Sequence, residues 1–173
     1  MKKAWQPCTI ALLLILIGCS AWPTIITTAE AIASVTTVFI PGVASFSAVA
    51  VHLLNTAASA AQAYHKNKTS STEQAYVAAV QAIEEQLPAD LAALVQAGMS
   101  AEDEARVSAA VNIILDFVEA EAAQLPPTAA LVTQKRAARQ AGPMPKPLSA
   151  RTIKARWNSE VCVGDRKCQA LLD

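Results

Sequence analysis

Apolar side chains recur every three or four residues through the middle of the chain, a spacing that predicts amphipathic α-helices. The clearest stripe follows Ser100, which we predict as an N-cap, and it stops before Pro126-Pro127. Three acids, Glu102 to Glu104, stand at its first turn, where the helix dipole favours negative charge. The apolar positions of this stripe are Val107, Val111, Ile114, Val118 and Ala122.

The segment before this helix predicts two shorter helices. Ser71 and Gln74 match a capping box, with Ser71 as the N-cap. Pro88 predicts a break or kink, and Asp90 is placed to cap a second short helix that ends at Gly98. The apolar positions of the two helices are Tyr76, Val77, Val80, Ile83, Leu87, Leu91, Leu94 and Val95.

Residues 23–64 carry one acid, Glu30, and no Lys or Arg. Pro41-Gly42 divides this region into two stretches rich in Ala, Ser, Thr and aliphatic residues. One interpretation is a pair of buried helices whose small side chains permit close approach. The other is a membrane-inserted hairpin over residues 24–64, because residues 31–51 are uncharged. The central Pro41-Gly42 and the frequent hydroxyl side chains favour the buried pair.

The end of the chain predicts a short helix over residues 128–140, a stiff Pro-containing linker over residues 142–147, and a last helix capped by Ser149. Ile153, Trp157 and Val161 form the apolar stripe of that last helix. Together the patterns predict an all-α fold, a small antiparallel bundle of about four or five Ala-rich helices with a basic tail. We divide the chain into residues 1–18, a helical bundle over residues 19–127, and the tail over residues 128–173.

Composition refines this picture. Hydrophobic residues make up 53% of the chain and charged residues 16%, which excludes a highly charged disordered chain. However, 37 residues are Ala, so each apolar residue buries little area on average. The net charge of 0 is an average of unlike segments. Residues 73–121 carry ten acids and one base, whereas residues 130–173 carry nine bases and three acids.

The N-terminus has the order of a bacterial export signal. Lys2 and Lys3 precede an apolar run, Ile10 to Ile17, which is too short to span a membrane. The run ends in Leu16-Ile17-Gly18-Cys19, which resembles the lipobox of bacterial lipoproteins. The resemblance implies cleavage before Cys19 and attachment of a diacylglyceryl group, with further acyl chains such as palmitate, to Cys19. The alternative is an ordinary secretory signal that is cut elsewhere.

The residue after Cys19 bears on the destination. It is Ser20, whereas Asp at that position in Gram-negative lipoproteins often marks retention in the inner membrane. By this resemblance we expect an exported protein, anchored by lipid to the outer membrane and facing the periplasm if the host is Gram-negative.

The four cysteines divide by location. The resemblance implies that Cys8 leaves with the signal and that Cys19 receives the lipid, so Cys162 and Cys168 would remain as an even pair in an exported protein. Gly164-Asp165 between them supplies turn chemistry, and we predict a disulfide. Free thiols and a metal site are the alternatives, and no further ligand lies near enough in sequence to favour a metal.

We find no residue set that predicts catalysis, a metal site or a cofactor. Asn112, Asp116 and Glu119 share one helix face and could hold a metal, but this face lies opposite the apolar stripe and is more simply a solvated surface. His52 lies in an apolar run without an evident nucleophile and orienting group. We therefore predict a non-enzymatic protein with no small-molecule substrate.

The basic tail is the one candidate binding surface. It would bind a polyanion such as lipopolysaccharide phosphate or anionic lipid, and an exported protein seldom meets nucleic acid. The alternative is that the tail packs on the acidic helices of the same chain. The residues of this surface are Lys135, Arg136, Arg139, Arg151, Lys154 and Arg156.

These observations favour a lipid-anchored protein of a bacterial or prophage envelope with a structural or interaction role. Its expected partners are the membrane, through the lipid, and an envelope protein or anionic surface. The alternative function is a membrane-active protein, holin-like or pore-associated, that inserts residues 24–64.

Overall fold

The computed structural model describes residues 21–36, 40, 42–125 and 146–173. These residues form an all-α structure, and the described ranges contain no β-strand. Four long helices come first: α1 (Ala21–Val35), α2 (Val43–Lys66), α3 (Ser70–Gln96) and α4 (Ala101–Ala122). The C-terminal segment has α5 (Ala150–Arg156), which continues as a π-helical turn (Trp157–Val161), and then α6 (Arg166–Gln169) and a 3₁₀ turn (Ala170–Leu172).

The four long helices form an antiparallel ring in which α1 packs on α2, α2 on α3, α3 on α4, and α4 on α1. The closure between α4 and α1 is visible at both ends. Near the start of α1, the Trp22 and Phe117 rings meet edge to face with centroids 4.8 Å apart. Near its end, Arg106 donates to the Val35 carbonyl over 3.1 Å. The predicted antiparallel bundle is confirmed for the described residues.

Small residues bring α1 and α2 close together. Ala29 and Ala50 are fully buried, and the buried Ser47 hydroxyl donates to the Ala29 carbonyl over 2.6 Å. This contact satisfies the Ser47 hydroxyl inside the core, where an unpaired hydroxyl would be destabilising. Gly42 caps α2 with φ of 105°, and a side chain there would meet Leu94 on α3. The predicted separation of the two stretches at Pro41-Gly42 therefore agrees with the helix bounds.

The apolar stripes predicted for the later helices point into the core. Every position of the α4 stripe is buried, from Val107 to Ala122. On α3, Tyr76, Leu87 and Leu94 are buried, whereas Leu91 and Val95 are partly buried. The caps predicted at Ser100 and Ser149 accept hydrogen bonds from the third residue beyond each, and Gly98 follows α3 with φ of 101°.

The predicted N-cap of α3 at Ser71 is wrong. Thr69 is the N-cap, and its hydroxyl accepts from the Thr72 amide over 3.3 Å while the Thr72 hydroxyl accepts from the Thr69 amide over 3.1 Å. The reciprocal Thr69–Thr72 pair satisfies two amides at the helix start two residues earlier than the pattern of Ser71 and Gln74 predicts. Ser71 lies within the helix as a result.

Of the break or kink predicted at Pro88, the break is wrong, because α3 continues through Pro88 to Gln96. Pro88 lacks an amide proton and so removes one hydrogen bond of the helix, but Pro88 lies on the solvent-exposed face of α3. Leu87 and Leu94, seven residues apart, are both buried on the same side of the continuous helix. Burial of these two side chains favours continuity over the break, and Asp90 lies inside α3 instead of capping a new helix.

The C-terminal segment packs on the outside of the α1–α4 pair. α5 and the 3₁₀ turn contact α1, and the π-helical turn contacts α4. The predicted stripe of Ile153, Trp157 and Val161 is buried in this contact. The segment therefore shares the core of the bundle, and its first helix is the point at which the basic tail meets an acidic helix.

Candidate functional site

The predicted lipidation site, Cys19, lies outside the described residues, as do Ser20 and the preceding signal. The described structure begins at Ala21, the first residue of α1. Trp22 in the first turn is buried against Phe117 of α4, so the bundle is folded from the second described residue onward. Two residues, Ser20 and Ala21, would therefore separate a lipid on Cys19 from the buried Trp22.

The connection between α2 and α3 is at the same end of the bundle as the start of α1. We call residues 65–70 the α2–α3 tip. All six residues of the tip are exposed, and its charged or titratable side chains are His65, Lys66 and Lys68. The Tyr64 and Tyr76 rings pack beside the tip, with centroids 6.4 Å apart.

The acids nearest the tip are partly buried. Burial raises the pKa of the Glu121 carboxyl near the end of α4, and the charge of His65 opposes that rise. Glu73, in the first turn of α3, is also partly buried. The solvent-facing charge of the tip is consequently basic.

The opposite end of the bundle is acidic. The first turn of α4 carries Glu102, Asp103 and Glu104, and Arg106 forms an ion pair with Glu102 over 2.8 Å. Asp103 is fully buried and accepts from the Ser100 hydroxyl over 2.9 Å. The sequence predicts Asp103 at a helix start but does not predict its burial, which depends on the packing of neighbouring helices.

The predicted polyanion-binding residues are only partly described. Lys135, Arg136 and Arg139 lie outside the described residues. Arg151 is exposed and Lys154 is partly exposed on α5. Arg156 donates to Asp116 of α4 over 2.6 Å and to both carboxylate oxygens of Glu160, and these partners raise its pKa. This guanidinium is therefore used within the chain, as the intramolecular interpretation expects.

Cys162 and Cys168 are joined by a disulfide, with Cα atoms 5.4 Å apart, as predicted. Asp165 caps α6 by accepting from the Lys167 and Cys168 amides, and Gly164 adopts φ of 75°. The buried Trp157 indole donates to the Cys168 carbonyl over 3.1 Å. The disulfide loop is thus fixed to the start of the π-helical turn, and both sulfur-bearing residues are buried.

Residues 24–64 do not form a free hairpin in the described structure, because α1 and α2 contribute to the common core. Among the described helices, α2 alone is long and apolar enough to cross a membrane, with mean hydropathy of 1.3 in its best window. The core helix of a soluble protein can have the same length and hydropathy, and 44% of that window is buried inside the bundle. The exposed side of α2 is polar and small, with Ser45, His52, Asn55 and Ser59 among its residues.

The candidate catalytic and metal-binding residues do not converge. His52 and Asn55 are exposed on α2, whereas Ser47 is buried and bonded to a carbonyl of α1. On α4, Asn112 is exposed and Asp116 pairs with Arg156. In the described part of the chain, no three His, Cys, Asp or Glu side chains are grouped so that they could hold a metal ion.

Comparisons with known proteins give no relative from which a function could be proposed. No family model matches the chain, and neither the curated proteins nor the solved structures contain a match.

Proposed function

We propose that this protein is a lipid-anchored envelope protein with a non-enzymatic structural or interaction role. The observation that carries the proposal is the order Leu16-Ile17-Gly18-Cys19, placed directly before the first helix of a closed bundle. Acyl chains stabilise membrane association by about 0.8 kcal/mol for each buried CH₂ group, so two or three chains anchor a protein firmly without a spanning helix. Residues 1–18 would act as the signal peptide.

The bundle supports an anchored role because its apolar helices are used in its own core. Among the described residues, Val163 is the one large hydrophobic side chain that is strongly exposed. A lipid would therefore supply the membrane attachment, while the helices and the basic tail would contact an envelope protein or an anionic surface. The cations of the tail proposed for that contact are Lys135, Arg136, Arg139, Arg151 and Lys154, with Arg156 already held by two carboxylates.

Labelling and fractionation test the anchor. We expect radiolabelled palmitate to enter the wild-type protein and to be absent from Cys19→Ala, which should also leave the membrane fraction. Cys8→Ala is the matched control, because Cys8 lies in the proposed signal and should not be acylated. Unlabelled wild-type protein, together with unchanged fractionation of Cys19→Ala, would rule out the lipid anchor.

Ser20 supports placement in the outer membrane of a Gram-negative host. Ser20→Asp should move the lipidated protein into the inner-membrane fraction, and Ser20→Ala should leave its distribution unchanged. Sorting that does not respond to Ser20→Asp would exclude this placement without affecting the lipid itself.

A second candidate function is membrane activity through residues 24–64, and the length and hydropathy of α2 favour it. α1 argues against it, because 15 residues span about 22 Å as an α-helix, less than the apolar thickness of a bilayer. This function requires that Cys19→Ala stays in the membrane and resists carbonate extraction. Complete release of Cys19→Ala from the membrane would contradict insertion of residues 24–64 and would agree with the lipid anchor.

A further inference from the structure

We propose that the α2–α3 tip rests on the anionic phospholipid headgroups of the membrane that holds Cys19. This inference deepens the proposed function and depends on it. Three observations carry it: the end of the bundle on which the tip lies, the distance that the tip projects, and the distribution of charge along the bundle.

The tip and the start of α1 are at the same end. The Trp22–Phe117 contact places the first turn of α1 beside the last part of α4. α1 and α2 are antiparallel neighbours joined by the Ser47–Ala29 hydrogen bond, so the end of α2 lies at the same end of the bundle as the start of α1. A lipid two residues before Ala21 therefore enters the membrane from the end that carries the tip.

The tip projects further than the anchor can reach. α2 has 24 residues and α1 has 15, which correspond to about 36 Å and about 22 Å of helix. Ser47 of α2 bonds to Ala29 of α1, so these two residues lie at about the same level along the bundle. From that level α2 continues for 19 residues to Lys66, whereas α1 extends back for 8 residues to Ala21, so α2 reaches roughly 16 Å beyond the start of α1.

The tether between Cys19 and Ala21 is shorter than this projection. Two residues of extended chain span at most about 7 Å. An upright bundle would thus push the tip below the level of Cys19, into the membrane. The polar and cationic side chains of the tip oppose entry into hydrocarbon, so the bundle tilts until the tip lies among the headgroups.

The charge distribution favours headgroups of negative charge. Lys66 and Lys68 are exposed on the tip, and no acid lies within residues 65–70. The first turn of α4, at the other end, carries three acids, of which Glu102 pairs with Arg106 and Asp103 is buried. An anionic leaflet therefore attracts the tip more strongly than the opposite end, and this difference orients the bundle in the same sense as the anchor.

Fluorescence quenching of the lipidated full-length protein tests the orientation. Asn67→Cys places one thiol on the tip, and Ala97→Cys is the matched control at the exposed C-cap of α3 on the opposite end. Each is labelled with bimane while Cys162 and Cys168 remain oxidised, and is then reconstituted into vesicles that contain headgroup-nitroxide lipid. In mixed phosphatidylcholine and phosphatidylglycerol we expect severalfold stronger quenching at residue 67 than at residue 97.

Two comparisons separate the contributions of charge and anchor. Vesicles of phosphatidylcholine alone, or Lys66→Glu combined with Lys68→Glu, should bring quenching at residue 67 towards that at residue 97. Each lysine near an anionic surface contributes about a fivefold change in local equilibrium, so the double variant should show a large loss.

The outcomes distinguish this inference from the function on which it rests. Vesicle-bound, lipidated protein without quenching at residue 67 overturns the tip contact and leaves the lipid anchor in place. Equal quenching in neutral and anionic vesicles overturns the assignment to anionic headgroups. Protein whose mass shows no lipid on Cys19 overturns both the inference and the proposed function.

Discussion

Trp157 joins the C-terminal segment to the bundle. Its side chain is fully buried, and its indole holds the Cys168 carbonyl at the end of the disulfide loop. Trp157 also begins the π-helical turn that packs on α4. One residue therefore links the disulfide, the last helix and the acidic helix α4.

We predict that Trp157→Ala lowers the free energy of unfolding by about 3–5 kcal/mol, because it leaves a large cavity in a close-packed core. Val163→Ala is the control within the same loop region, since Val163 is 73% exposed, and it should change stability by less than about 0.5 kcal/mol. Urea denaturation measures both. Equal effects of the two substitutions would contradict the burial of Trp157.

Glu121 gives the bundle a pH dependence. Its carboxyl is more readily protonated in the folded chain than in the unfolded chain, because burial raises its pKa. Ionisation of Glu121 therefore lowers the free energy of unfolding. The stability that the protonated carboxyl contributes is present in acid and is lost as the pH rises through the pKa of Glu121 in the folded chain.

Glu121→Gln cannot ionise, so we expect it to raise the Tm at neutral pH and to have little effect in acid, where Glu121 is protonated in both states. Thermal unfolding followed by circular dichroism at the two pH values measures the difference. An effect of the same size at both pH values would indicate a packing change in place of a titration.

At the scale of the helices, the start of α3 shows what a pattern can and cannot decide. The sequence contains several hydroxyl residues in a row, from Thr69 to Thr72, and each could cap a helix. Thr69 does so because its partner at Thr72 bonds back to it. Local composition thus predicts a cap in this stretch but not which hydroxyl fills it.

We predict that Thr69→Ala reduces stability by about 1 kcal/mol, the usual effect of losing an N-cap. Ser71→Ala should change stability little, since Ser71 is exposed within the first turn. Chemical denaturation of the two variants distinguishes the caps. A larger loss for Ser71→Ala would place the start of α3 where the sequence pattern first suggested.

Pro88 is the other place where local rules fail. The amphipathic stripes on both sides of Pro88 predict helices, and the proline alone predicts a boundary between them. The continuous helix forms because Leu87 and Leu94 are buried together in the core, a tertiary effect that a local pattern does not contain. In contrast, the ends at Gly98, Ser100 and Ser149 were predictable, since each depends on chemistry within a few residues.

We expect Pro88→Ala to stabilise the protein by about 1–3 kcal/mol, because it restores a hydrogen bond within α3 and removes the clash of the proline ring. Pro23→Ala is the matched control. Pro23 lies in the first turn of α1, where the amide has no helical partner, so its loss should be neutral or slightly destabilising. Destabilisation by Pro88→Ala would show that the proline shapes α3 instead of straining it.

Across the whole described bundle, the two ends differ in charge. The tip, at the end where α1 starts, is basic, and the end beyond Gln96 is acidic. The fold class, the buried stripes and the disulfide could be predicted, because helical periodicity and cysteine arithmetic are visible in the sequence. The placement of Lys66 and Lys68 at the end of the bundle where α1 starts could not be predicted, because it depends on helix lengths and on which ends meet.

We propose that Cys19 carries the lipid that holds this bundle on a membrane. Intact-mass spectrometry of protein extracted from the membranes of a lipoprotein-processing bacterium tests it most directly. We expect a chain that begins at Cys19 and is heavier than residues 19–173 by a diacylglyceryl group, with an added N-acyl chain where the host attaches one. A chain that begins at another residue, or that begins at Cys19 with a free thiol, would contradict it.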